Sequence, residues 1–155
     1  MIDTPKILQT TPKLTAIIRL KVPRSKIQEV MGPARSELMD AIADQEVTVT
    51  GPWFTHHLRM DPEVFDFEVC VPIAGEIVAV GRVKPSQLPA TKVARTIYRG
   101  PYEGLGEAWG KFMEWIESNG HTPRDDLWEC YLHGPEMNSD PTTWQTQLNK
   151  PLVVQ

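Results

Sequence analysis

The chain has 155 residues, of which 41% are hydrophobic and 23% are charged, and its formal net charge is −4. This length suits a single domain with one core, and the acidic balance argues against direct binding of nucleic acid, which normally needs a basic surface. No apolar run is long enough for a membrane span and the N-terminus lacks the apolar segment of a secretion signal, so we expect a cytoplasmic protein without membrane contact.

The first quarter of the chain combines a strand pattern with a helix pattern. Residues 1–12 are polar and contain prolines, which predicts a lead-in segment or an edge strand. Residues 14–22 are rich in β-branched side chains and predict a strand, and helical spacing of apolar residues follows from Pro23. Gly32-Pro33 interrupts this second pattern. Either one helix ends at Met31 and another begins with Pro33, or a single helix is kinked there.

The middle of the chain reads as a series of strands. The pattern predicts strands over residues 53–58, 64–73 and 76–83, followed by a proline-rich break over 84–89. A further strand over residues 92–99 leads into the longest helical pattern of the chain.

That helix begins at Pro101, whose missing N–H costs nothing in a first turn, and ends at Ser118-Asn119-Gly120, where glycine permits a left-handed cap. Its apolar stripe consists of Tyr102, Leu105, Trp109, Phe112, Met113 and Ile116. Three glycines in the helix, each costing about 1 kcal/mol relative to alanine, predict a close approach, either by tight packing on a sheet or by a ligand. They are Gly104, Gly106 and Gly110.

The strand over residues 127–132 carries one acid in apolar surroundings. Alternation places Leu127, Glu129 and Tyr131 on one face and apolar residues on the other. Glu129 is therefore either exposed at a sheet edge or a buried carboxylate that needs a partner.

The second half of the chain repeats features of the first in the same order. Asp61-Pro62 and Pro72-Ile73 match Asp140-Pro141 and Pro151-Leu152 in spacing, and Gly-Pro pairs open both helices. This predicts an α+β fold built from a duplicated strand–helix–strand–strand unit, with repeats at about 13–73 and 92–152 inside one domain over 1–155. Antiparallel sheets covered by helices and related by a pseudo-twofold axis would leave a central ligand cleft.

Aligning the halves predicts the lining of this cleft. Phe54 and His56 then occupy the positions of Glu129 and Tyr131. The long helix adds Tyr102 and Trp109, and the last strand adds Trp144. A carboxylate among aromatic faces suits a lipophilic cation, which gains both charge pairing and cation–π attraction. The alternative is a structural ion pair between Glu129 and Arg95, Arg99 or Lys111.

Other site chemistries find no pattern in the sequence. His56 and His57 are adjacent on a strand and face opposite ways, so they cannot chelate one metal, and His121 and His133 lack ligand spacing. There is no glycine-rich phosphate loop or nucleophile elbow. We expect neither a metal nor a cofactor. The two cysteines, Cys70 and Cys130, are expected to be free buried thiols, although their number also permits a disulfide.

The second half of the chain contains the segment 98–106 (YRGPYEGLG), Trp109, Trp115-Ile116, Asn119-Gly120 and Trp128–Tyr131. Together these residues resemble the GyrI-like effector-binding domain. This domain is the ligand-sensing half of many AraC- and MerR-type multidrug-responsive regulators and also occurs free-standing. The resemblance continues through Gly134-Pro135-Glu136, Trp144-Gln145-Thr146 and Pro151-Leu152. One departure is Arg99, where many members carry histidine.

The resemblance implies a stand-alone multidrug or effector-binding protein in which Glu129 meets cationic, often polyaromatic ligands. It also implies two alternatives. Some GyrI-like proteins hydrolyse cyclopropane-bearing DNA-alkylating toxins, in which case Glu129 would be the acid/base and Tyr131 the proton donor. Others act by binding a protein, as in gyrase inhibition, and the protein partner here would be unknown.

Overall fold

The structure is a computed structural model that describes residues 2–60, 63–135 and 137–153. It divides into two compact units, which we name the N-terminal unit (Thr11–Ala90) and the C-terminal unit (Met1–Thr10 with Thr91–Gln155). In chain order the described residues form strand β1 (Lys6–Gln9), β2 (Lys13–Pro23), helix α1 (Ile27–Asp44), β3 (Phe54–Met60), β4 (Val64–Pro72), β5 (Lys84–Leu88), β6 (Lys92–Arg99), helix α2 (Leu105–Ser118), β7 (Leu127–His133) and β8 (Gln145–Pro151). None of the helices in these ranges is long and apolar enough to cross a membrane.

The N-terminal unit is an antiparallel sheet in the order β3-β4-β2-β5 with α1 packed on one face. Its core comprises Ala16, Ile18, Phe67, Val69 and Val71 from the sheet with Ala34, Leu38 and Ile42 from the helix. Of the two alternatives for Gly32-Pro33, the structure has one continuous helix with Pro33 inside it. Both residues are exposed.

The strand predicted over residues 76–83 is wrong, and the predicted break over 84–89 contains β5 instead. Gly81 has φ of 58°, and Val80 and Val83 exchange backbone hydrogen bonds of 3.0 Å, which makes a tight turn in place of a strand. Val78 and Val80 are 75% and 52% exposed, whereas Ile77 and Val83 of this apolar run belong to the core without forming a strand. Pro85 is tolerated because β5, among the described strands, pairs with β2 alone.

The C-terminal unit is an antiparallel sheet in the order β1-β6-β8-β7 with α2 on one face. Its core comprises Ala94, Tyr98, Ala108, Phe112, Ile116, Leu148 and Leu152. The N-terminal lead-in does form an edge strand, because β1 pairs with β6. Cys130 in this unit and Cys70 in the N-terminal unit are buried and form no disulfide.

Helix α2 begins and ends as the sequence predicts. A 3-10 turn over Tyr102–Gly104 follows Pro101 and leads into the helix. At the other end Gly120 has φ of 77° and its N–H donates to Glu117 O, while His121 N–H donates to Ile116 O. These paired bonds form a Schellman cap, which satisfies carbonyls that would otherwise lack partners at the helix end.

The close approach predicted for the three helix glycines holds for Gly104 only. A Cβ at Gly104 would collide with the hydroxyl of Tyr98, which donates a 2.7 Å hydrogen bond to Pro101 O. A Cβ at Gly106 or Gly110 would meet nothing within 4 Å. Tyr98 therefore fixes the start of α2 against the end of β6.

The two units share the element order strand–helix–strand–strand and the same strand pairing, with β4 and β8 each central among three strands. The row Ile18–Val69–Thr55 across one sheet corresponds to the row Thr96–Leu148–Glu129 across the other. Asp61, which the repeat pairs with Asp140, lies outside the described residues. The pseudo-twofold axis and the single-domain boundary of 1–155 stay predictions.

This register corrects the alignment that placed Phe54 and His56 with Glu129 and Tyr131. Phe54 pairs with Cys70 and His56 with Glu68, on the sheet face opposite to α1, whereas Thr55 is the strand position that matches Glu129. The alignment is wrong by one residue, and one residue reverses the face of a strand. His57, as predicted, faces away from His56 and stacks on Phe67 at 5.1 Å.

The contact between Gly104 and Tyr98 makes a testable prediction. Gly104→Ala should lower the free energy of unfolding by about 1–3 kcal/mol, since the added methyl group overpacks against the phenol. Gly110→Ala, in the same helix but in open space, should instead raise it by about 0.5–1 kcal/mol through helix propensity. Urea denaturation of both variants measures the difference. Equal effects at the two glycines would contradict the assignment.

Candidate functional site

The candidate site is built around the carboxylate of Glu129 in the C-terminal unit. Glu129 lies on β7 opposite Leu148, on the sheet face that α2 covers. Its Oε2 accepts a 2.6 Å hydrogen bond from Trp109 Nε1, and its Oε1 accepts a 2.9 Å hydrogen bond from the hydroxyl of Tyr131. Glu129 is half-buried and both of its oxygens have partners, so it lies between the two sequence alternatives of an exposed acid at a sheet edge and a buried carboxylate with a partner.

Local folding explains how these three side chains meet. Alternation along β7 puts Glu129 and Tyr131 on one face two residues apart. Trp109 follows the buried Ala108 on α2 and packs against Phe112 with 5.6 Å between ring centroids, so its indole N–H points to the strand. The carboxylate therefore sits between a helix and a sheet with one neutral donor from each.

The structural ion pair proposed as the alternative for Glu129 is not formed with any of its three candidate partners. Arg95 donates to Asn149 Oδ1 at 2.6 Å, Arg99 pairs with Asp3 at 3.1 Å, and Lys111 pairs with Glu107 at 3.5 Å. Within the described part of the chain, Glu129 has no cationic partner. Its negative charge is therefore not neutralised by any described side chain.

Burial raises the pKa of Glu129 above its ordinary value of 4.5, and the hydrogen bonds from Trp109 and Tyr131 offset part of that rise. Loss of hydration disfavours the carboxylate, whereas donors aimed at its oxygens favour it. A cation bound nearby would shift the balance towards the charged form.

Three aromatic residues extend the site from Glu129. The ring of Tyr131 meets that of Tyr102 edge to face at 5.9 Å, and Tyr102 lies 4.8 Å from Trp144. Trp144 immediately precedes β8 and does not belong to that strand, contrary to the sequence prediction. We call Tyr102, Trp109, Glu129, Tyr131 and Trp144 the aromatic–acid cluster. The contacts bring these five predicted residues together.

Phe54 and His56 lie in the N-terminal unit. Phe54 is 2% exposed, and His56 Nδ1 lies 3.5 Å from Glu68 Oε1. The sequence alignment that grouped Phe54 and His56 with Glu129 is wrong by one residue. Their participation in a ligand site therefore stays a prediction, and this alignment no longer supports it.

Sequence reasoning missed two residues of this region. Tyr98 fixes the start of α2 through Pro101 and Gly104, and the glycine was the signal that could have identified it. Thr146 lies opposite both Tyr98 and Tyr131, is fully buried, and its Oγ1 has no partner among the described residues. No pattern in the sequence indicated Thr146.

No group of three or more metal-ligating side chains occurs among residues 2–60, 63–135 and 137–153. The aromatic–acid cluster offers one carboxylate, two phenols and two indoles.

The raised pKa of Glu129 predicts a pH-dependent stability. The folded state holds the proton more tightly, so the stability that Glu129 contributes is fully present below about pH 4.5 and is lost as the pH rises through the folded-state pKa. Wild type should therefore lose stability relative to Glu129→Gln as the pH rises above about 4.5, as measured by urea denaturation. Glu107→Gln, an exposed acid on α2, is the control. A difference that is constant with pH would contradict the burial of Glu129.

Solved structures with the same fold include the C-terminal domain of EcmrR, which is 23% identical, with a TM-score of 0.87 and coverage of 98% of each chain. In a complex of EcmrR with DNA the identity is 24% and the TM-score 0.84, and this chain spans 57% of that longer chain. A hydrolase from Listeria innocua is 12% identical, with a TM-score of 0.72, over 96% of this chain and 91% of that one. SAV2435 bound to tetraphenylphosphonium is 13% identical, with a TM-score of 0.65, over 97% and 94%.

At these identities the solved structures establish the α+β fold and no more. No curated protein matches the chain. The model of the GyrI-like small molecule binding domain, however, matches residues 3–152, which is nearly the whole chain. This protein belongs to the GyrI-like small molecule binding domain family.

Proposed function

We propose that this protein binds lipophilic, cationic aromatic molecules at the aromatic–acid cluster. A small-molecule ligand agrees with the family, and the chemical class of that ligand is our inference from the cluster. Aromatic faces from Tyr102 and Trp144 supply stacking area, while Glu129 supplies the charge.

The observation that carries the proposal is that both oxygens of Glu129 accept hydrogen bonds from neutral donors only. A half-buried carboxylate without a counter-ion is costly, and a cationic ligand would remove that cost. The neighbouring indole and phenol faces also attract cations more strongly once water is displaced. A neutral ligand of equal size would gain the stacking and miss the charge term.

The ligand of SAV2435 supports the choice of class, because tetraphenylphosphonium is a lipophilic aromatic cation. EcmrR, whose structure includes DNA, supports a regulatory setting for domains of this fold. In that setting the present chain would supply effector binding. The absence of direct DNA contact, which was expected from the net charge of −4, stays a prediction, and so does the cytoplasmic location.

A second candidate function is hydrolysis of a reactive small molecule. It is favoured by the 2.9 Å contact of the Tyr131 hydroxyl with Glu129 and by the raised pKa of that acid, which suits a proton-transfer role. Glu129 would act as acid/base and Tyr131 as proton donor. Turnover separates the two candidates, because a binding protein returns its ligand unchanged.

Glu129→Gln should weaken binding of methyltriphenylphosphonium by roughly tenfold to a hundredfold, the equivalent of about 1.5–3 kcal/mol for a partly desolvated charge pair. Binding of neutral triphenylphosphine oxide, of similar size, should change little. Trp109→Ala should weaken both, since stacking area does not depend on ligand charge. Isothermal titration calorimetry with both ligands measures this.

Glu107→Gln removes one negative charge from the exposed face of the same helix and is the matched control for charge. It should leave both affinities unchanged. Equal losses for the cation and the neutral ligand in Glu129→Gln would mean that Glu129 shapes the site without reading charge. Loss of substrate turnover with intact binding would favour the hydrolase.

A further inference from the structure

The N-terminal unit contains a cavity at the edge of its sheet, where β5 pairs with β2 alone among the described strands. The cavity is lined by residues 14–15 of β2, by residues 85–87 of β5, and by Ile73 and residues 75–77 of the segment that follows β4. Its volume is about 440 Å³, which lies within the range of small-molecule pockets in proteins.

Hydrogen bonds hold the segment that follows β4 on both sides of the residues that line the cavity. At its start, Ile73 N–H donates to Leu14 O at 2.9 Å. At its far end, Gln45 Nε2 donates to Val78 O at 2.9 Å, and Val78 N–H donates to Gln45 Oε1 at 2.8 Å. Because these bonds fix the segment without a ligand, a ligand would lose little affinity to the ordering of the chain.

The apolar part of the cavity lining is aliphatic. Ile73 and Ile77 are 5% and 6% exposed and belong to the core of the N-terminal unit. Leu14 and Pro85 are exposed and continue this apolar surface to the solvent. None of the described residues that line the cavity is aromatic. The cavity therefore suits an aliphatic group, which gains from burial of apolar surface and needs no stacking partner.

Glu76 gives the cavity a preference for one sign of charge. It is the one charged residue among the described lining residues, and it is exposed. Its carboxylate forms no ion pair or hydrogen bond with the described part of the chain. An ammonium group could therefore pair with this carboxylate and keep part of its hydration, while an aliphatic group attached to it enters the cavity.

We propose that this cavity is a further ligand site and that it binds small aliphatic ammonium ions. The aliphatic part of the ligand packs against Leu14, Ile73 and Ile77, and the ammonium group pairs with Glu76. The proposal goes beyond the binding of aromatic cations at the aromatic–acid cluster, because it concerns other residues and a ligand without an aromatic ring.

Cyclohexylmethylamine, which is protonated at neutral pH, is the probe for this site. In ¹⁵N-labelled protein it should shift the backbone amide resonances of Gly75, Glu76 and Gln87 in a saturable way, with a dissociation constant on the order of 1 mM. Neutral cyclohexylmethanol, which has the same ring, should bind about threefold to fivefold more weakly, since an exposed ion pair contributes little. Cyclohexanecarboxylate should bind more weakly still.

Glu76→Gln should remove the difference between the amine and the alcohol, whereas Leu14→Ala should weaken both, because it removes apolar contact without changing charge. Both residues are exposed, so both variants should fold. Asp40→Asn, which removes an exposed acid of α1 that does not line the cavity, is the matched control and should change neither affinity.

Three results would overturn the proposal. The first is the absence of saturable shifts at residues 75–77 and 85–87. The second is equal affinity for the amine and the alcohol in the wild type, or an equal effect of Glu76→Gln and Asp40→Asn. The third is loss of the amine-induced shifts in Glu129→Gln but not in Glu76→Gln, which would assign the amine to the aromatic–acid cluster.

Discussion

A carboxylate held beneath a helix by two neutral donors is the interaction on which the candidate site depends. The indole N–H of Trp109 and the hydroxyl of Tyr131 each occupy one oxygen of Glu129, which fixes the orientation of the acid without neutralising it. Had a lysine or arginine taken either place, the charge would be satisfied internally and a cationic ligand would gain little. The three cations considered as partners of Glu129, namely Arg95, Arg99 and Lys111, contact Asn149, Asp3 and Glu107 instead.

This arrangement requires that α2 stand at a defined position over the sheet. The Tyr98 hydroxyl, bonded to Pro101 O and pressed against Gly104, sets where the helix begins. From that start, helical periodicity places Trp109 next to Glu129. Phe112 and Ile116, on the same apolar stripe of the helix, are fully buried. The glycine that costs helix stability thereby contributes to the geometry of the site.

The two units use one arrangement of elements for different side-chain chemistry. Matching rows across the sheets end in Glu129 in one unit and in Thr55 in the other, and the helix residues at matching positions are Trp109 and Arg35. The backbone plan thus permits either charge at this place, because the helix and the strand each supply one exchangeable side chain. Function in this fold is decided by those side chains and not by the layout of strands.

Local patterns in the sequence were enough to predict the helices and strands that depend on residues close together in the chain. Period and capping residues predicted α2 and its Gly120 cap, and the strand predicted over residues 92–99 is β6 with the same bounds. The isolated acid in an apolar strand identified Glu129, and the resemblance of residues around it identified the family.

The tertiary structure decided what depends on partners distant in sequence. Residues 84–88 form strand β5 because they pair with β2, whereas the more apolar residues 76–83 form no strand. The structure also showed that Glu129 accepts hydrogen bonds from neutral donors and not from the arginines and lysine considered. It also reversed the face assigned to Phe54 and His56, because cross-strand register is set by pairing with β4 and a shift of one residue exchanges the two faces of a strand.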